Sequence, residues 1–217
     1  MNRRGAIFDW DGVIVDSSRH HEESWVRLAS ELGEVLPEGF FLESFGMRNE
    51  QIIPSMLGWA TEPAAVSDLS QRKEVLYREI VREWGIEPLP GVRPWIEALG
   101  DAGIPCVIAS STQRANIELS LESFGLRSAF SGIVSSEDVP RGKPDPEVFL
   151  LAAELVDVPV DRCVVFEDAP VGIQAGCAAG MSVVGLTTTH PGNRLEGATH
   201  IANRLDELQR DSLWPAL

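Results

Sequence analysis

Short unbroken apolar runs punctuate this chain: Gly5–Phe8, Pro105–Ala109, Gly132–Val134, Cys163–Phe166, Ser182–Leu186 and, more weakly, Ala198–Ala202. None of them alternates apolar with polar residues. A strand without alternation has both faces buried, and such strands belong to parallel sheets covered by helices on each side. The intervening segments carry helix signals. Arg93–Ala102 stops at Gly103 and Gln113–Phe124 at Gly125, the position just past a helix end where glycine is favoured. Pro146–Val156 and Ala169–Ala179 have a proline near the start, where a missing N–H breaks no helical bond. Strand–helix alternation of this kind folds as a doubly wound α/β domain with right-handed crossovers.

One interval breaks the rhythm. About 95 residues lie between the first apolar run and the second, far more than a single crossover needs. Arg19–Leu32, Glu38–Phe45, Asn49–Leu57 and Pro63–Trp84 read as helices, the last of them amphipathic through Val66, Leu69, Val75, Leu76, Ile80 and Val81. The expected organisation is an α/β core built from 1–16 and 88–217, with a helical domain inserted at 17–87. The hinges fall at Val15–Ser17 and at Glu87–Gly91.

Charge and composition narrow the partners. With 18 Lys+Arg against 33 Asp+Glu, the formal net charge is −15, which argues against nucleic acid and against anionic membrane surfaces. No apolar run approaches the roughly 20 residues of a membrane span. Ala6–Phe8 is too short for the apolar stretch of a secretory leader, so a cytoplasmic protein is expected. Cys106, Cys163 and Cys177 show no CxxC spacing and read as buried reduced thiols. The six dispersed tryptophans read as packing residues. The glycine-rich fingerprints of ATP and dinucleotide sites are missing.

In open α/β sheets ligands bind beyond the carboxyl ends of the strands, so the chemistry should lie just past each apolar run. After the first comes Asp9-Trp10-Asp11-Gly12-Val13-Ile14-Val15-Asp16-Ser17, and after the second Ser110-Ser111-Thr112. After the third come Ser135-Ser136-Glu137-Asp138 and Gly142-Lys143-Pro144-Asp145-Pro146, and after the fourth Glu167-Asp168-Ala169-Pro170. Any one of these could be a turn or a helix cap. Together they bring carboxylates, hydroxyls and an ammonium to one edge. That set suits phosphoryl transfer: carboxylates hold Mg²⁺, lysine and serine hold phosphate oxygens, one aspartate attacks phosphorus, and a second moves the leaving-group proton.

These four segments, in this order, resemble the four motifs of the haloacid dehalogenase superfamily of phosphotransferases, over nearly the whole chain. The resemblance implies a Rossmann-like doubly wound parallel sheet with an inserted α-helical cap, as in the β-phosphoglucomutase and phosphoglycolate phosphatase-like subgroup. It implies Asp9 as nucleophile and Asp11 as general acid and base. It also implies Mg²⁺ bound by Asp9, Asp11 (through its backbone carbonyl) and Asp168, with Glu167 either a direct ligand or a helper behind one, and phosphate bound by Ser110, Ser111 and Lys143. Asp9, beside the metal and Lys143, is expected to stay ionised, and Asp11 to start protonated. Dehalogenases lack the second aspartate of the first motif and phosphonoacetaldehyde hydrolases have alanine there, so Asp11 sets this chain apart from both.

The resemblance further places substrate recognition in the cap, at His21, Arg48, Asn49 and Lys73. Arg48 stands one position from the arginine of β-phosphoglucomutase, and Asn49 takes that arginine's place. The runs Gly46–Gln51 and Ser136–Pro146 also resemble relatives that dephosphorylate the ribityl-phosphate precursor of flavins. The expected protein is therefore a Mg²⁺-dependent phosphatase acting on a small phosphorylated metabolite, as a monomer or weak homodimer. The alternatives are a phosphosugar mutase and a non-catalytic phosphate-binding regulatory protein on the same fold.

Overall fold

The structure is a computed structural model that describes residues 3–44 and 47–214. Its sheet contains β1 (Gly5–Phe8), β2 (Cys106–Ala109), β3 (Gly132–Val134), β4 (Cys163–Glu167), β5 (Ser182–Leu186) and β6 (His200–Ala202). All neighbouring strands are parallel, in the order β3-β2-β1-β4-β5-β6. This is the doubly wound sheet expected from the apolar runs, with β1 central and the winding direction reversing beside it.

Helices are α1 (Ser18–Leu32), α2 (Phe40–Ser44), α3 (Asn49–Ile52), α4 (Pro63–Trp84), α5 (Val92–Asp101), α6 (Arg114–Phe124), α7 (Glu147–Leu155), α8 (Pro170–Ala178) and α9 (Arg210–Leu213). The chain divides into two compact units, Met1–Asp16 with Glu87–Leu217, and Ser17–Ile86. Glu87, expected in the insertion, groups with the α/β unit.

Every residue of β1 is buried, which is why its sequence shows no alternation. On one face Ile7, Val107, Val165 and Val183 pack with Val148, Phe149 and Ala152 of α7 and with Ile173 of α8. On the other, Phe8 stacks on Phe166 with ring centroids 4.5 Å apart, and Phe130 and Trp95 meet this pair edge-on at 6.2 and 6.1 Å. Trp10 is fully buried and lies against Phe124.

The smaller unit has its own core, centred on Trp25, Leu28, Phe40, Ile52, Ile53, Val66 and Leu76. Here the structure departs from the expected helices. The second is shorter than Glu38–Phe45; Phe45 lies outside the described residues. The third does not run unbroken to Leu57. After Ile52 the chain passes into a π-turn at Ile53–Leu57, where Pro54 supplies no N–H to an α-helical ladder. Two packing expectations also fail. Cys177 is exposed on α8, unlike the buried Cys106 and Cys163, and Trp84 at the end of α4 is half exposed.

Phe166 joins the two ring contacts that seal one face of the sheet, so Phe166→Ala is expected to cost about 3–5 kcal/mol of unfolding free energy. Urea unfolding checks this through a lower midpoint at an unchanged slope.

Candidate active site

Register sets the site. Phe8 pairs with Ile108 on one side and with Phe166 on the other, so Asp9 emerges level with Ala109 and Glu167. The ladder continues one step past the strand, since Asp9 N–H donates to Phe166 O at 3.0 Å and Ser110 N–H to Val134 O at 2.9 Å. Asp9, Ser110 and Glu167 are thus brought to one edge by the backbone alone.

Lys143 comes from the loop between β3 and α7. Its Nζ lies 2.8 Å from Asp9 Oδ1 and donates to Glu167 Oε1 at 2.6 Å, 5.0 Å from the centre of the Phe149 ring. The ion group is buried throughout: Lys143 is 7% exposed, Asp9 7%, Asp168 1% and Glu167 0%. Glu167 Oε2 in turn accepts the backbone N–H groups of Asp168 and Ala169 at 2.8 and 2.9 Å, just ahead of α8. Both Glu167 oxygens are therefore engaged within the protein.

Asp9, Glu167 and Asp168 each offer a carboxylate oxygen within 4.8 Å of the others. Three carboxylates share one ammonium, and the electrostatics register the imbalance. Burial first, then Glu167 and Asp11, pushes the Asp9 carboxyl from 3.8 up to about 7 against the pull of Lys143. Burial, followed by Glu167 and Asp9, also raises the Asp168 carboxyl well above its ordinary value. Burial opposes the charge on Lys143, but Asp9 and Glu167 override it and hold the ammonium more firmly than usual. Lys143 alone therefore does not hold the Asp9 carboxyl at its ordinary value; the expected ionisation counted the metal as well. A divalent cation fits this donor set, because it would balance the remaining charge with oxygen ligands.

The loop after β1 turns back on itself. Gly12 N–H donates to Val15 O at 2.7 Å, and Val15 N–H to Trp10 O at 3.2 Å. Gly12 has φ +75°, and a Cβ there would lie 1.9 Å from Asp168 Oδ2, so only glycine fits. Asp11 accepts a hydrogen bond from the Thr112 hydroxyl. Ser110 is buried and its Oγ accepts from Thr112 N–H at 3.2 Å; Ser111 is next in the chain and half exposed.

Reading the sequence strand by strand missed the loop after β5. Thr188 Oγ1 donates to Gly12 O at 2.5 Å, and Thr189 acts on the Asp168 carboxyl to offset part of its upward shift. The signal was available: Thr187-Thr188-Thr189-His190 lies just past the fifth apolar run at the same sheet edge. Thr112 stands in the segment after the second run, where the sequence gives it no role of its own.

The remaining expected residues all lie in the helical unit, where three of the four share one network. Lys73 is 2% exposed; its Nζ donates to His21 Nδ1 at 2.6 Å and to Glu74 Oε1 at 3.0 Å. It also lies 5.4 and 5.6 Å from the centres of the Trp25 and Tyr77 rings. His21 stacks on Tyr77 with centroids 4.2 Å apart. Asn49 Nδ2 donates to Glu74 Oε1 at 2.7 Å and to Ser70 Oγ at 3.2 Å. Burial works against the Glu74 charge, yet Lys73, His21 and the Asn49 bond hold its carboxyl below the ordinary value. Arg48 precedes Asn49 as the residue capping α3. Gly46 lies outside the described residues.

The family model for haloacid dehalogenase-like hydrolases matches residues 4–180, which span Asp9, Asp11, Ser110, Thr112, Lys143, Glu167 and Asp168 but not Thr188 and Thr189. The chain belongs to the haloacid dehalogenase-like hydrolases. It is 38% identical over 207 residues to the chloroplastic 5-amino-6-(5-phospho-D-ribitylamino)uracil phosphatase of Arabidopsis thaliana, which covers 94% of this chain and 55% of that protein. The chain thus spans little more than half of that relative's length. It is 30% identical over 216 residues to the β-phosphoglucomutase of Bacillus subtilis, covering 97% of this chain and 93% of that one. Among solved structures, the β-phosphoglucomutase of Clostridium difficile superposes with a TM-score of 0.86 at 24% identity, over 97% of this chain and 95% of that one, a likeness of fold.

Two outcomes test this haloacid dehalogenase-like site. The folded metal-free chain retains on Asp9 a proton that the unfolded chain has released, so this group's contribution to stability falls as pH rises from 3.8 to about 7. Melting temperatures in chelator should show that fall across the same window, and Asp9→Asn should lessen it, leaving the share that Asp168 contributes. Gly172→Ala should displace Glu167, because the added Cβ would lie 1.7 Å from Oε1. The expected result is an about 1–3 kcal/mol loss of stability together with lost hydrolytic activity, measured by unfolding and by phosphate release.

Proposed function

We propose that this haloacid dehalogenase-like hydrolase is a Mg²⁺-dependent phosphatase that hydrolyses a small phosphorylated metabolite through an aspartyl-phosphate. The observation that carries the reading is the buried set of Asp9, Glu167 and Asp168 around Lys143, ordered by the sheet register. Asp9 and Asp168, with the Asp11 backbone carbonyl, are the residues assigned to the cation. When bound, Mg²⁺ supplies positive charge against the phosphoryl oxygens and keeps the carboxylates ionised.

The chain's own groups carry the chemistry. An Asp9 oxygen forms a bond to phosphorus as the bond from phosphorus to the leaving oxygen breaks, and Asp11 gives its proton to that oxygen. A water oxygen then bonds to phosphorus, Asp11 takes the water proton, and the Asp9–phosphorus bond breaks. Inorganic phosphate leaves and Asp9 returns as a carboxylate. Lys143, Ser110 and the Ser111 backbone N–H are assigned to the phosphate oxygens. We assign Glu167 to positioning Lys143, since Lys143 and two backbone N–H groups engage its oxygens. In the helical unit, His21, Asn49 and Lys73, with Arg48 beside them in sequence, are assigned to choosing the leaving group. The ribityl-phosphate chemistry of the Arabidopsis relative supports a phosphorylated polyol or sugar as substrate.

A mutase is the second reading, supported by 30% identity across nearly the whole chain to the Bacillus enzyme. A panel of sugar and polyol phosphates, scored for free phosphate and for isomerised product, separates the two. The phosphatase reading expects released phosphate that requires Mg²⁺ and falls by at least about a hundredfold in Asp9→Asn. Substantial Mg²⁺-dependent turnover by Asp9→Asn would sink it. Isomerisation primed by a bisphosphate, with slow phosphate release, would favour the mutase.

A further inference from the structure

Thr112 lies three residues past the end of β2 and is held from three directions. Its hydroxyl donates to Asp11 Oδ2, its backbone N–H donates to Ser110 Oγ at 3.2 Å, and its carbonyl accepts from Ser136 N–H at 3.2 Å. It is 9% exposed. Its branched Cβ restricts rotation about χ1, so a backbone fixed at both its N–H and its carbonyl also fixes where the hydroxyl points.

Asp11 is half buried, and the torsion that turns its carboxylate has a broad energy profile, so a donor fixed in place contributes to its direction. A proton passes only to an atom within hydrogen-bond reach and in line. From this geometry we propose that Thr112 is a positioning residue: its hydroxyl sets the orientation of the Asp11 carboxylate for proton transfer to the leaving oxygen. The inference rests on the acid–base role assigned to Asp11 above.

The assignment has a stereochemical consequence. With Oδ2 accepting from Thr112, we assign the proton in transit to Oδ1. In the first step it leaves Oδ1 for the leaving oxygen as the phosphorus–oxygen bond breaks. In the second, Oδ1 takes it back from the attacking water. Thr112 keeps its own proton throughout. The residue also links the two halves of the site, since the loop that aims Asp11 is the loop that carries Ser110.

Leaving-group dependence tests this. A nitrophenolate departs without help from an acid, whereas a phenolate departs more easily when protonated. Thr112→Val keeps the shape of the side chain and removes the donor; Thr112→Ser keeps the donor. The readout is kcat/KM for phenyl phosphate and for p-nitrophenyl phosphate, in Mg²⁺, with the full chain. Thr112→Val should lose about ten- to a hundredfold on phenyl phosphate, and less than about threefold on p-nitrophenyl phosphate. Thr112→Ser should stay within about threefold of the parent on both. Thr112→Val combined with Asp11→Asn should be no slower than Asp11→Asn alone.

Equal losses on both esters, with Thr112→Ser as impaired as Thr112→Val, would show a merely structural residue and overturn the proposal. So would a double variant slower than Asp11→Asn. Asp11→Asn is the internal reference. If it shows the leaving-group dependence and Thr112→Val matches the parent, the Thr112 assignment alone fails. If Asp11→Asn shows no such dependence, the acid–base role of Asp11 itself is wrong.

Discussion

The Lys143 ammonium, set between Asp9 and Glu167 at 2.8 and 2.6 Å, is the contact on which the α/β unit's chemistry depends. An ion buried without a partner costs on the order of several kcal/mol, so this lysine can sit inside only because carboxylates meet it. In return Lys143 pulls the Asp9 carboxyl down against burial and meets one oxygen of Glu167. Glu167 is the most constrained of the three. Lys143 and two backbone N–H groups engage its oxygens, and the close approach of Gly172 leaves it no room to turn. It transmits the position of the first turn of α8 to the lysine.

The fold was legible because burial on both faces erases alternation. β1 shows this most plainly: four residues, all buried, reading as an uninterrupted apolar run. The site was legible for a related reason. Parallel strands put every carboxyl end on one side, so the polar residues just past the strands are close to being the residues that meet there. What could not be read was the direction of individual side chains. Asp168 and Glu167 are adjacent carboxylates, and sequence alone cannot say that Glu167 turns back to the backbone. Thr188 and Thr189 had no motif to mark them, although the rule that holds for the first four strands covers the fifth. The π-turn after Ile52 was hidden because a proline within a short helical segment reads equally as a first-turn residue.

The helical unit poses a different physical problem. It is small, and its apolar core is interrupted by a buried lysine, glutamate and serine. That arrangement holds because the polar groups satisfy one another. Lys73 pairs with Glu74, Asn49 bridges Glu74 and Ser70, and His21 accepts from Lys73. Replacing such a network with apolar residues would be energetically neutral or better in many proteins. The Lys73 charge is matched by Glu74, so the cluster carries little net charge.

The net charge of −15 looks at first unsuited to a phosphorylated substrate. The structure resolves the tension by locality. Charges separated by more than a Debye length, about 8 Å at physiological salt, are largely screened, whereas buried charges at contact distance are not. On the proposed reading, a phosphoryl group meets Lys143 and the cation assigned to the carboxylates. The loop that carries Asp11 is fastened from two sides by hydroxyls, Thr112 at Asp11 itself and Thr188 at the Gly12 carbonyl. These come from the loops after β2 and β5, which lie on opposite sides of β1 in the sheet. These two hydroxyls add to the loop's own backbone bonds, from Gly12 N–H to Val15 O and from Val15 N–H to Trp10 O, so the loop is held from both sides of β1.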